Sequence, residues 1–211
     1  MADKEEVFAE FQGFDSLVVA EVIKDNNAAG EGEGYVTGDV EVLAPAGEIS
    51  KSTSNDSATK YYDNKAFLVI SSEGSDEVQL TVPQLPVSKV AKFLGKYLDA
   101  ETGALMDSGE PGTKYFAIGY RLLFTDGTYR YVWRHKGMFK LGDEAAKSKD
   151  DSTDSNNQTI TYTGITTNHK FTKTNKGSKA IVVDERDGKC DVSKWFDAVV
   201  TPDNIVKKNE V

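Results

Sequence analysis

Asp126-Gly127 lies between two runs, 117–124 and 129–136, that alternate aromatic or aliphatic residues with charged or small ones. Such a dipeptide is the strongest short-range hairpin signal, since a type I′ turn needs positive φ at both central residues. A two-residue loop pairs Thr125 with Thr128. Counting outward then pairs Phe124 with Tyr129, Leu122 with Tyr131, Tyr120 with Trp133 and Ile118 with His135. Those predicted pairs share one face. Leu123–Arg130, Arg121–Val132, Gly119–Arg134 and Ala117–Lys136 share the other. Turn chemistry and apolar alternation agree on this register. The expectation is an aromatic core face and a basic face bearing Arg121, Arg130, Arg134 and Lys136.

Around that hairpin the chain reads as mainly β. Leu17–Ile23 is a β-branched run suited to a buried strand, and Tyr35–Leu43 resumes one after the glycine-rich loop Asn26–Gly34. Glu48–Ser54 alternates, with Glu48, Ser50, Ser52 and Ser54 on one side and Ile49, Lys51 and Thr53 on the other. So polar a strand fits the lining of a wet channel or an exposed edge. Asn55–Lys65 reads as a polar loop whose paired Tyr61 and Tyr62, beside Asp63 and Asn64, either anchor an interface or fold back onto the core. Phe67–Ser71 and Val78–Val82 are expected as strands joined by the loop Ser72–Glu77. Pro86 opens the one expected helix, with Val87, Val90, Ala91, Leu94 and Leu98 at helical spacing and Gly95 a weak point within it. Residues 142–158 read as a mobile polar loop, and Gln158–Thr167 as a half-buried strand with Thr159, Thr161 and Thr163 on its polar side. Lys179–Asp184 is a further short strand before an Asp187-Gly188 turn, and Trp195 with Phe196 docks the last ordered turn. The domain reading is a flexible segment 1–13, one domain over 14–200 and a polar tail 201–211.

The 211 residues suffice for one sizeable core, and the mean hydropathy of −0.47 with 28% charged residues describes a soluble chain. Nothing resembles a membrane span, and MADKEEVFAEFQ lacks the basic start and apolar stretch of a secretory signal. Cys190 is the one cysteine, which excludes an internal disulfide. Charge is unevenly spread. Residues 1–50 hold 12 acidic residues against Lys4 and Lys24, a net of −10, so the rest carry +1 of the total −9. That acidity serves solubility, or it faces a neutral-to-basic surface of another copy or passing DNA.

The inventory offers no catalytic machinery. His135 falls on the expected core face and His169 in a polar loop, and no G-x-S-x-G, H-E-x-x-H or C-x-x-C occurs. GEGEG at 30–34 lacks the lysine and serine or threonine of a phosphate loop. Asp150, Asp151 and Asp154 miss the spacing of a calcium loop. The expectation is no enzyme, no metal and no cofactor. The basic face is the one candidate anion site, but its aromatics lie on the opposite side and the protein is acidic. A solvated or subunit-facing stripe is the simpler reading.

The order β-β-α-β-β-loop-β over 66–167 resembles the major tail (tail tube) proteins of long non-contractile bacteriophage tails. The AGEIS strand, the YYDN segment, VPQLPVSKVAKFLG followed by DAETGAL, and the hairpin with its KGMFKLGDE exit carry the resemblance, which spans roughly 38–171. It implies a β-sandwich or barrel-type fold with one flanking helix. Homo-hexameric rings of a continuous inner β-barrel would stack into a tube for tape-measure protein and DNA and be closed by a tail terminator. The chain would then reside in the virion tail, and in host cytoplasm during assembly. Placed on that frame, Glu48, Ser50, Ser52 and Ser54 are expected to face the lumen. Tyr61, Tyr62, Asp63 and Asn64 would touch the next ring, and Arg121, Arg130, Arg134 and Lys136 would face a neighbouring subunit. The alternative from the same composition is a monomeric β-sandwich binding or adhesion module of a virion, taking a glycan or receptor.

Overall fold

The computed structural model describes residues 8–28, 33–110, 112–142 and 157–208. The expected loop at 143–156 with Asp150, Asp151 and Asp154, most of GEGEG, and residues 1–7 and 209–211 lie outside the described residues. The protein is mainly β with one α-helix among the described residues. Its strands in chain order are β1 (Phe11–Asp25), β2 (Tyr35–Thr37), β3 (Glu41–Val42), β4 (Glu48–Tyr62), β5 (Lys65–Val82), β6 (Tyr97–Leu98), β7 (Leu105–Met106), β8 (Tyr115–Phe124), β9 (Tyr129–Leu141), β10 (Gln158–Gly164) and β11 (Ala180–Asp184). The helix α1 (Val87–Leu94) lies between β5 and β6.

Nine strands form one antiparallel sheet in the order β2-β1-β8-β9-β10-β5-β4, with β11 added to β9 and β3 to β1. Among the described residues this sheet does not close into a barrel. One face is apolar along its length. Leu17 and Val19 of β1, Phe116, Ile118 and Tyr120 of β8, Val132 and Phe139 of β9, Ile160 and Tyr162 of β10, and Val78, Leu80 and Val82 of β5 form its core. Phe93 of α1 packs edge-on against Phe116 at 5.5 Å and closes that core from outside. Proline cannot donate a backbone hydrogen bond, so Pro86 suits the start of α1. Gly95 takes the left-handed conformation (φ 64°) and ends it, as a C-terminal cap rather than the expected interior weak point.

The opposite face divides in two. Over β1, β8 and the first half of β9 it is covered by the C-terminal segment. There Ala20, Ala117, Tyr131 and Trp133 meet Trp195 and Val199, and the Trp133 indole donates to the Trp195 carbonyl at 2.9 Å. Residues 201–208 are not the trailing tail that their polarity suggested. Asp191 N–H donates to Val206 O and Lys208 N–H to Lys189 O, so residues 206–208 are laced back onto 189–191. At the other end β1 begins inside the expected flexible segment, pairing Phe11 with Phe124.

The hairpin β8–β9 exists, but one residue out of the expected register. Leu123 lies opposite Tyr129, Arg121 opposite Tyr131 and Ile118 opposite Arg134. The loop holds three residues. Phe124 N–H donates to Thr128 O (2.9 Å), Gly127 N–H donates back to Phe124 O (3.0 Å), and Gly127 sits at φ 83°. Asp126 Oδ1 accepts from Thr128 N–H at 2.9 Å, which favours this wider turn.

Candidate functional site

The slip dissolves the predicted basic face. Arg121 and Lys136 fall on the side of Ala117 and Trp133, whereas Arg130 and Arg134 fall on that of Tyr120 and Val132. Each also has an acidic partner within the chain: Arg121–Asp15 (2.5 Å), Arg130–Asp184 (2.5 Å), Arg134–Asp76 (2.5 Å) and Lys136–Asp25 (2.6 Å). Arg134 and Lys136 are buried, where an unpaired cation would be costly, so their pairs are built into the fold. Asp15 and Asp25 belong to the acidic first fifty residues. Two of that segment's twelve acidic residues therefore neutralise the molecule's own hairpin.

Asp25 and Asp76 are hubs. Burial works against the Asp25 carboxylate. The backbone N–H of Asn168, the Lys136 ammonium and the backbone N–H of His169 outweigh it and hold the pKa below the usual range. Burial opposes ionised Asp76 too, and again loses, to the Thr53 hydroxyl (2.9 Å), Arg134, Lys51 and Lys179. Lys179 Nζ reaches Asp76 (3.3 Å), Glu73 (2.6 Å) and Gly74 O (2.7 Å) together.

That cluster marks the root of the molecule's most exposed feature. The last strand pair inside the sheet is Gly164–Asp76, and from there β4 and β5 run on alone as a two-stranded arm. Asn55–Lys65 was expected to be a loop, and Ser72–Glu77 another. Both are strand, paired from Asn55–Glu73 to Tyr62–Lys65. Asp63 (φ 50°) and Asn64 (φ 57°) make a two-residue turn of the kind that suits hairpin twist. The turn predicted at Asp126-Gly127 is thus found at Asp63-Asn64. Phe67 is 77% exposed and Val69 62%, and Leu68, Ile70, Tyr61 and Tyr62 are exposed as well. Sequence reasoning assigned Phe67–Ser71 to a strand without seeing that it leaves the body. The available signal was the matched pair of short apolar runs, Tyr61-Tyr62 and Phe67–Ile70, flanking a turn-forming dipeptide.

The predicted site residues fall into distinct places. Tyr61, Tyr62, Asp63 and Asn64 occupy the arm's apex. Glu48, Ser50 and Ser52 lie together on β4, all exposed, while Ser54 falls at the bulge where the β4–β5 register shifts. β4 is the sheet's last strand, with Ile49 and Thr53 turned inward. Opposite Glu48, Ser50 and Ser52 stand Thr81, Gln79 and Glu77; beyond them come Thr159, Thr161 and Thr163, then Lys140 and Met138. Among the described residues this half of the sheet's second face is uncovered. It is four strands wide, dominated by small hydroxyls and close to neutral, with Glu48, Glu77 and Lys140 its charges.

Other features suit packing rather than chemistry. His135 is fully buried, and burial pushes its pKa down. Its Nε2 lies 2.9 Å from Val200 O, and Tyr35 Oη donates to its carbonyl. No group of three His, Cys, Asp or Glu side chains converges to hold a metal among the described residues. An open cavity of about 500 Å³ lies between β11 and residues 205–207, lined by Val182, Ile205, Val206, Lys173, Lys189 and Lys207. Compared with protein-family models and with curated proteins, the chain matches none.

Proposed function

We propose that this chain is a structural virion protein, the major tail (tail tube) subunit of a siphophage, polymerising as stacked hexameric rings into the conduit for DNA ejection. The observation that carries the reading is the arm. Six large apolar side chains on a two-stranded projection stand exposed, covered by nothing from the body among the described residues, and an isolated hairpin is marginal in water on its own. Such a surface makes sense when another molecule covers it. The resemblance over 38–171 supplies the identity of the assembly.

The uncovered polar face supports the same reading. Within a ring, β4 is an unpaired edge able to continue the sheet into a neighbour, which removes the hazard of an open edge. The face bearing Ser50, Ser52, Thr159, Thr161 and Thr163 would then turn to the lumen, where tape-measure protein and later DNA pass. Small neutral hydroxyls give a moving polyanion little to grip. Size-exclusion chromatography followed by negative-stain microscopy of concentrated protein tests the proposal. Rings or tubes are expected. A stable monomer at every concentration would overturn it in favour of a monomeric binding module.

A further inference from the structure

The short strand β11 pairs with β9 along one edge, and among the described residues no strand adds to its other edge. One bond fixes which way its backbone groups point. His135 N–H donates to Lys179 O at 3.0 Å, one residue before the pair Ala180–Arg134, and bonding alternates along an antiparallel pair. Ile181 and Val183 therefore bond β9, while the N–H and C=O of Ala180, Val182 and Asp184 point away from it. The Ser178 hydroxyl donates to Ala180 O at 3.3 Å. Val182 is 53% exposed, and among the described residues nothing bonds its outward N–H or C=O.

The same Val182 lines the open cavity of about 500 Å³, together with Ile205 and Val206. Lys173, Lys189 and Lys207 line it too, and none of them has an acidic partner among the described residues. Of the two carboxylates in the lining, Asp184 is taken by Arg130 through two bonds of 2.5 and 2.7 Å. Three ammonium groups against Asp187 leave an excess of two positive charges, in a protein of net charge −9. Edge strands are often blunted by lysines of their own. β11 has none, and these three come from the segments around it.

We propose that β11 and this groove dock an extended acidic segment of another protein, which adds as a strand beside Val182 and sets its carboxylates against Lys173, Lys189 and Lys207. In this mode the open backbone groups supply affinity and the flanking side chains supply selectivity. The proposal does not depend on self-assembly. The edge of a second copy fits the charge less well. The long open edge β4 carries Glu48 and Asp56 against Lys51 and Lys60, and so offers no net charge. Single-stranded nucleic acid is bound on aromatic faces that stack its bases, and no aromatic residue lines this groove.

The test follows the fluorescence anisotropy of a labelled heptapeptide alternating glutamate and valine, titrated with full-length protein in roughly 0.05 M salt, where charges are little screened. Saturable binding is expected. A lysine–valine peptide should bind on the order of tenfold more weakly or worse, and Lys173→Glu/Lys207→Glu should weaken the glutamate peptide by a similar factor. Val182→Pro tests the backbone. Proline is tolerated on an edge strand where the N–H faces outward, so this variant should keep the wild-type circular dichroism and lose the peptide. Should it fail to fold, the glutamate–valine peptide N-methylated at every residue removes the same pairing from the ligand's side. Binding that survives both changes would overturn strand addition. Equal binding of the lysine peptide, or no binding of the glutamate peptide at millimolar concentration, would overturn the site. A peptide of residues 2–10 of this chain that binds more tightly than the glutamate–valine peptide would overturn the foreign partner in favour of a second copy.

Discussion

Replacing Asp76 with alanine tests what holds the arm to the body. Asp76 is 4% exposed and accepts from Arg134 Nη1 at 2.5 Å, Thr53 Oγ1 at 2.9 Å and Lys179 Nζ at 3.3 Å, with Lys51 Nζ 3.7 Å away. Once it is gone, buried Arg134 retains the Tyr120 hydroxyl at 3.2 Å and no carboxylate. Removing one member of a buried ion pair costs about 3–5 kcal/mol, chiefly because the other charge is left unmatched. For a chain of this length each kcal/mol moves Tm by roughly 2–4 °C, so a fall on the order of 10 °C is expected. Asp76→Ala/Arg134→Met removes the stranded charge and should recover at least half of the loss. Urea denaturation of both variants measures this, and hydrogen exchange should show amides 54–74 opening faster in Asp76→Ala. A loss below about 1 kcal/mol, or a double variant no better than the single, would refute the reasoning. The pH dependence has a definite sign. The folded pKa of Asp76 is depressed, so its contribution is complete above the ordinary carboxylate range. It drains away as pH falls below about 4 toward the lower folded value.

A methyl group on Gly137 would meet Tyr162 Cζ at 2.4 Å and Thr163 O at 2.5 Å. Gly137→Ala should therefore cost about 1–3 kcal/mol and alter the near-ultraviolet spectrum of buried Tyr162. Burial pushes the His135 pKa below its ordinary value, so the unfolded chain takes up a proton more readily near pH 6.5 than the folded one. Stability should therefore fall as the pH drops from 7.5 to 5.5, and His135→Gln should flatten that slope in melting curves at the two values. Tyr61→Ala/Tyr62→Ala should leave a folded, soluble subunit that no longer stacks, read by electron microscopy; interface aromatics commonly carry ~2 kcal/mol or more each.

What the sequence disclosed depended on whether one face of each segment was unambiguously wet. The alternations of Glu48–Ser54 and Thr159–Thr163 were legible because their outward residues are all polar. The helix was legible from Pro86 and its apolar spacing. The β8–β9 hairpin was legible as a hairpin but not in register, for a physical reason. Both of its faces are covered, one by α1 and the other by Trp195 and Val199, so apolar residues occur on both and alternation cannot choose. Asp-Gly also serves both two-residue and three-residue turns. The arm escaped notice for a related reason: Phe67–Ile70 is what a buried strand looks like when its cover comes from the same chain.

The register decides how assembly should respond to salt. With Arg121, Arg130, Arg134 and Lys136 on a single face, the acidic first fifty residues of one copy would meet the basic stripe of another, and encounter would slow as salt screened them. In the observed register the four cations are paired inside each subunit. Asp15 and Asp25 are matched across about a hundred residues of chain by Arg121 and Lys136. The arm left to make contacts is apolar, with Asp56 and Asp63 balanced by Lys60 and Lys65. Apolar association is not screened, and excluded salts such as sulfate strengthen it. Assembly followed by light scattering should therefore proceed at least as fast in roughly 0.5 M sodium sulfate as in roughly 0.05 M. A rate that falls steeply over that range would mean that charge, not the arm's apolar faces, governs encounter between copies.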